Sequence, residues 1–157
     1  MTPAQLATLK AAILADPVLA AYPMGDDGCY DMAARELNVV ANPAFVVWDD
    51  RLTPEKFEAA VIIGATQLDG LTSGKRDELF FIGKGVRNCN DTNVRAAIDD
   101  ACGSANTLKN ALIAAEKRNA LLIEKIFATG TGTTVSPATL VWAGTVNYQD
   151  VKLARAL

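Results

Sequence analysis

The sequence predicts a mainly α fold: a bundle of about five or six helices followed by an extended C-terminal arm. Three observations carry this. Half of the 157 residues are hydrophobic and only 6% are aromatic, so small apolar side chains must do most of the packing. Apolar residues recur at helical spacing between proline and glycine breaks. From Thr129 onward the chain turns rich in glycine and threonine and poor in core-forming residues.

Thr2 caps a first helix with Pro3 at its first position, where a missing N–H costs nothing. Leu6, Leu9, Ile13 and Leu14 share one of its faces. Asp16-Pro17 interrupts it, because the residue before a proline avoids helical geometry, and a short helical turn follows to Tyr22. Pro23–Gly28 is a loop, and Asp26 or Asp27 caps a helix running to about Leu37. After Asn42-Pro43, the run Ala44–Trp48 reads either as a buried strand or as an apolar helical lead-in; periodicity does not decide.

Thr53-Pro54-Glu55 repeats the cap-then-proline signal, with Lys56 leaving the capping box incomplete. Phe57, Ala60 and Val61 form that helix's apolar face. Ser73 is expected to cap a helix through Phe80-Phe81-Ile82 that ends at Gly83. Asp91 caps the next, with Val94, Ala97, Ile98 and Ala101 inward and Arg95–Asp99 as an exposed i,i+4 pair. Gly103 ends it. Ser104 then opens the longest expected helix, to about Ala128, with Leu108, Leu112, Ala115, Leu122 and Ile126 near one stripe. The arm beyond pairs 138–141 with 142–146 in a small hairpin or stays extended, and Asn147 caps a terminal turn or two. The expected division is a helical body over 1–128 and an arm over 129–157.

Composition excludes several function classes. The net charge is −3 with a pI near 4.9, and no basic block is longer than two residues. Tight DNA binding through phosphate neutralisation needs a basic face. There is no apolar run approaching the ~18 residues of a membrane span, and the first residues lack the order of a signal peptide. Cys29, Cys89 and Cys102 are odd in number and form no Cys-x-x-Cys pair, so reduced, buried thiols are expected. The absence of histidine removes Ser-His-Asp and Cys-His catalysis and every His-bearing zinc site.

The remaining motifs read as structure. Gly70-Leu-Thr-Ser-Gly74-Lys75 has three residues between its glycines where a phosphate loop needs four, and Arg76 stands where that loop needs Ser or Thr. Gly130-Thr-Gly132 is a connector. The doublets Asp26-Asp27, Asp49-Asp50 and Asp99-Asp100 suit capping and solvation better than cation binding. Glu55, Glu58, Glu116 and Glu124 read as a solvated face rather than an acid–base pair. Neither catalytic, cofactor-binding nor metal-binding residues are expected. Trp48 reads as core, whereas Trp142 either anchors a partner or docks on its own body.

Several segments together resemble a known family. They are Leu9–Pro17, Ala41–Trp48, Asn93–Asp99, Lys117-Arg118-Asn119, Glu124–Gly132, Ser136–Leu140 and Tyr148–Val151. The chain is similar to small proteins encoded in the structural modules of tailed bacteriophages and prophages, in particular head–tail connector (adaptor, or neck) proteins. That resemblance implies a non-enzymatic virion protein. It would bind the portal as a ring of about twelve copies, in a closing heterologous arrangement, and extend the DNA channel toward the tail. DNA would pass without specific binding, and no membrane would be involved. The protein would sit in the virion neck, and in the host cytoplasm during assembly. Capsid decoration and tail termination are roles from the same gene neighbourhoods. A small nucleotide-binding enzyme or regulator is the rival from another class. On the connector reading, Trp142, Val146, Tyr148, Val151 and Leu157 are the expected arm contacts.

Overall fold

A computed structural model describes residues 1–157 and shows a mainly helical chain with ten helices and four short strands. It divides into two compact units: residues 46–118 form one, and residues 1–45 and 119–157 together form the other. The 46–118 unit is therefore inserted into the sequence of the unit built from both chain ends.

In the end-built unit, α1 (Pro3–Ala15) starts with a full capping box, in which Thr2 and Gln5 satisfy each other's backbone N–H groups. The Asp16 carboxylate then accepts from Val18 and Leu19 N–H to open the one-turn α2 (Pro17–Ala20). Asp26 caps α3 (Asp27–Leu37). The chain returns to this unit at α9 (Leu122–Phe127), β3 (Ala128–Thr129), β4 (Thr139–Leu140) and α10 (Tyr148–Ala156). Helix α10 packs on α3 and α1. Its Val151 and Ala154 join Leu9, Ile13, Tyr30, Leu37 and Ile123 in one buried cluster.

The expected division after Ala128 is corrected by this packing. The segment from Val146 is not an arm laid outside a finished body, because it supplies part of the unit's core. Asn38 locks its entry: its amide donates to the Val146 carbonyl at 2.7 Å, and its oxygen accepts the Val146 N–H at 3.0 Å. A short antiparallel C-terminal pair is present, as expected, but with other partners. Ala128 and Thr129 pair antiparallel with Leu140 and Thr139, so 138–141 does not pair with 142–146. Gly132 sets that return. It sits at φ +65°, and a Cβ there would lie 2.1 Å from the Phe45 ring, so only glycine fits the turn.

The inserted unit begins with β1 (Val46–Trp48), which resolves the strand-or-helix ambiguity in favour of a strand. It continues through α4 (Pro54–Ile63), the one-turn α5 (Ala65–Leu68), α6 (Ser73–Gly83), α7 (Thr92–Cys102) and α8 (Asn106–Ala115), and closes with β2 (Lys117–Asn119) beside β1. Leu52, Phe57, Leu79, Ile98, Leu108 and Leu112 form its core. Helices α4 and α8 pack closely because Gly64 leaves room: a Cβ there would lie 2.4 Å from the Leu108 Cα. Thr72, not Ser73, caps α6.

The long helix expected from Ser104 to Ala128 is two helices separated by a strand. After Ala115 the backbone finds better partners across the chain. The Asp49 N–H donates to the Glu116 carbonyl at 2.6 Å, Ala120 N–H to Phe45 O at 2.8 Å, and Leu122 N–H to Val39 O at 2.8 Å. No proline or glycine marks this break. The apolar stripe divides with it, Leu108 and Leu112 going to one core and Ile123 to the other. No helix is long and apolar enough to cross a membrane.

Candidate functional site

The five residues expected as arm contacts separate into two groups. Val146 and Val151 are buried in the core of their own unit and are not on the surface. Their β-branched side chains fill the space between α10 and its neighbours, which is a correction to their expected role. Tyr148 and Leu157 remain exposed at 38% and 61%. Trp142 is half-buried, its ring tilted against Phe127 with centroids 5.6 Å apart.

Two glutamates read from sequence as solvated are buried. Glu124 is a backbone clamp: its carboxylate accepts from the Leu121 N–H at 2.9 Å and the Gly144 N–H at 3.4 Å. It thereby holds the start of α9 and the loop before α10 with charge-assisted bonds. Arg155, also buried, donates from its guanidinium to the Tyr22 carbonyl at 2.7 Å, while its Nε stays without a partner.

The other buried glutamate, Glu116, lies in the inserted unit at the end of α8. It is 2% exposed. Burial is the main cause that pushes its carboxyl up to about 7, against the opposing pull of Arg95 and Lys117. Together with Trp48, Arg95, Ala96, Ile98, Asp99, Lys109 and Ile113 it lines a cleft of about 270 Å³.

The neighbouring charges have other partners as well. The Arg95 guanidinium lies 4.2 Å from the centroid of the Trp48 ring and donates to the Cys89 carbonyl. This replaces the expected Arg95–Asp99 pair; Asp99 instead meets Lys109 at 2.5 Å. Lys117 stands 5.6 Å from the Trp48 ring. Trp48 packs half-buried against the core of its unit, as expected, and also serves as a platform for two cations. Asp49, read as a solvated doublet member, is 1% exposed and meets Lys56 at 2.6 Å, Arg118 at 3.6 Å and the Arg51 N–H at 3.0 Å.

Burial also raises the Cys89 thiol to about 12 and the Cys102 thiol to about 11, which leaves both as thiols at neutral pH. Lys75, the lysine of the broken phosphate-loop pattern, bonds Asp100 and Glu78. No three His, Cys, Asp or Glu side chains gather as a metal site would require.

Apolar surface is the other prominent feature. Phe80 walls a groove of about 380 Å³ with Pro54, Phe57 and Val61, while Phe81 walls another of about 280 Å³ with Ile82 and Val94. Ile62, Ile63 and Val86 add exposed apolar area to the same unit. In the end-built unit Leu14, Val18, Val39 and Val40 are exposed, and the last three line or border a groove with Leu19 and Leu122. The pairing of Phe80 with Phe81 was visible in the sequence as consecutive aromatics at a helix end. Glu116 carried no such signal, because its burial follows from the strand that replaces the expected helix.

No family model, curated protein or solved structure matches the chain.

Proposed function

We propose that the chain is a non-enzymatic virion structural protein, a head–tail connector that binds the portal as a ring and continues the DNA channel toward the tail. The observation that carries this reading is apolar exposure in both units. Ile62, Ile63, Phe80 and Phe81 in one unit, and Leu14, Val18, Val39 and Val40 in the other, are 49% to 69% exposed. A heterologous ring needs two different patches on each subunit, one for each neighbour, and exposed apolar patches mark such contacts. The segments that resemble phage structural-module proteins supply the rest of the argument. A net charge of −3 suits a channel through which DNA must slide, since a basic lumen would hold it. Trp142, Tyr148 and Leu157 are the C-terminal residues that remain available for the portal.

The test is to mix the purified protein with its portal and image the mixture by electron microscopy. A ring of about twelve copies stacked on the portal is the expected result. Protein found instead on capsid faces or on the tail tube of intact particles assigns a decoration or tail-terminator role. Absence from particles altogether overturns the virion reading.

A further inference from the structure

The exposed apolar grooves differ in charge, and the difference decides which surfaces can meet. The groove walled by Phe80 has both Glu58 and Lys84 in its lining, so it favours neither sign. The groove walled by Phe81 has Arg87 as its one charged lining residue. That guanidinium donates to the carbonyls of Phe81 at 3.1 Å and Ile82 at 2.8 Å, and it meets no carboxylate. Lys84 is exposed at the same end of α6. Two cations therefore flank the Phe81 ring, which is 69% exposed, and they outnumber Asp77 one turn earlier.

The groove of the end-built unit has the opposite charge. Val18, Leu19, Val39, Val40 and Leu122 give it apolar walls, and its charged lining residues are Asp16 and Glu36. The Asp16 carboxylate accepts from backbone N–H groups and keeps its charge without a cation. Glu36 is exposed, and its neighbour Arg35 is taken by Asp31 at 2.8 Å. Neither Glu36 nor Lys84 enters an ion pair. The groove encloses about 360 Å³. A phenyl ring fits such a space, since about 150 Å³ is enough to hold benzene.

We propose that these two surfaces are the halves of one head-to-tail contact between copies of this chain. Phe81 of one copy seats among Val18, Val39 and Val40 of the next, with Lys84 and Arg87 set against Glu36 and Asp16. The charges argue for a second copy in this orientation. A symmetric pair would bring Lys84 and Arg87 against themselves, or Asp16 and Glu36 against themselves, and like charges across an interface are costly. Head-to-tail docking satisfies both surfaces and leaves one of each kind free for a further copy. The proposal rests on the ring reading and names which patch meets which.

The experiment is sedimentation of the full chain at rising concentration, up to about 1 mM. The wild type is expected to associate beyond dimers, less so as salt is raised. Phe81→Ser, Lys84→Glu and Glu36→Lys should each weaken association by about tenfold. All three positions are exposed, so the fold is kept. An equimolar mixture of Lys84→Glu and Glu36→Lys chains should regain association, because alternating copies bring opposite charges together at every contact. A mixture no better than its components, or single variants that associate like the wild type, would overturn this pairing. So would an association that stops at a dimer, or a wild type that stays monomeric at about 1 mM. A monomer that loses portal binding on Phe81→Ser assigns the surface to the portal instead. Rings of the variants imaged on the portal would leave the connector reading standing while this contact falls.

Discussion

Both units bury a glutamate, and they treat it differently. In the end-built unit, Glu124 is closed in by the backbone N–H groups of Leu121 and Gly144, so its charge ties two segments of chain together. In the inserted unit, the Glu116 backbone accepts from the Asp49 N–H and donates to the Leu112 carbonyl, while its buried carboxyl has only the pull of Arg95 and Lys117 to set against its burial. The first arrangement turns a costly buried charge into a local staple. The second keeps the cost, and the carboxyl responds by holding its proton to about pH 7. The chain path differs as well. One unit is continuous over 46–118, whereas the other closes only when residues 119–157 return to residues 1–45.

The harshest way to break this comparison is deletion of residues 129–157. It removes Val146, Val151 and Ala154 from the end-built core, and that unit is expected to lose its fold. The inserted unit should survive, with Cys89 and Cys102 still protected from a thiol reagent while Cys29 becomes fully reactive. Protection of all three thiols in the truncated chain would restore the picture of a detachable arm.

Acid–base linkage gives the next largest effect. Glu116 titrates at about 7 in the folded state, above the ordinary carboxylate value of 4.5. The folded form therefore holds the proton more tightly. Stability of the inserted unit is greatest below pH 4.5, as far as this group is concerned, and falls as pH rises through 7. The loss amounts to at most about 3 kcal/mol. Denaturant melts followed by Trp48 fluorescence at pH 5 and pH 8 should show it in the wild type and not in Glu116→Gln. Glu124 is already bonded to backbone donors, so Glu124→Gln should weaken the end-built unit at both pH values.

The two close-approach glycines sharpen the comparison further. Gly64→Ala forces a Cβ against the Leu108 backbone in the inserted unit, and Gly132→Ala forces one against Phe45 at a positive φ in the other. Each should cost its own unit about 1–3 kcal/mol. Separate melts read through Trp48 and Trp142 should each register one substitution and not the other. At the small end, Asp31→Asn removes an exposed i,i+4 pair with Arg35. It should change stability by no more than about 0.5 kcal/mol, as a midpoint shift in the same melts.

Much of the fold was legible because local chemistry decided it. Thr2-Pro3, Asp16-Pro17, Thr53-Pro54, Asp91 and Asn147 all start helices where cap and proline rules place them. What the sequence hid was non-local. The stripe from Leu108 to Ile126 is continuous in helical register, and only cross-chain hydrogen bonds at Asp49, Phe45 and Val39 break it. That unseen break also concealed the candidate cleft, since it places Glu116 beside Trp48 and Arg95. The C-terminal segment misled for a related reason. Val146 and Val151 look sparse in their own stretch, but they complete a core whose other half lies at the opposite end of the chain.

The central claim is that residues 46–118 are a self-sufficient unit inserted into the sequence of another. It is tested most directly by expressing residues 46–118 alone and measuring urea unfolding together with thiol labelling. The account predicts one cooperative transition, with Cys89 and Cys102 unreactive until it occurs. A fragment that shows no transition, and whose two thiols react as fast as free cysteine without denaturant, would contradict it.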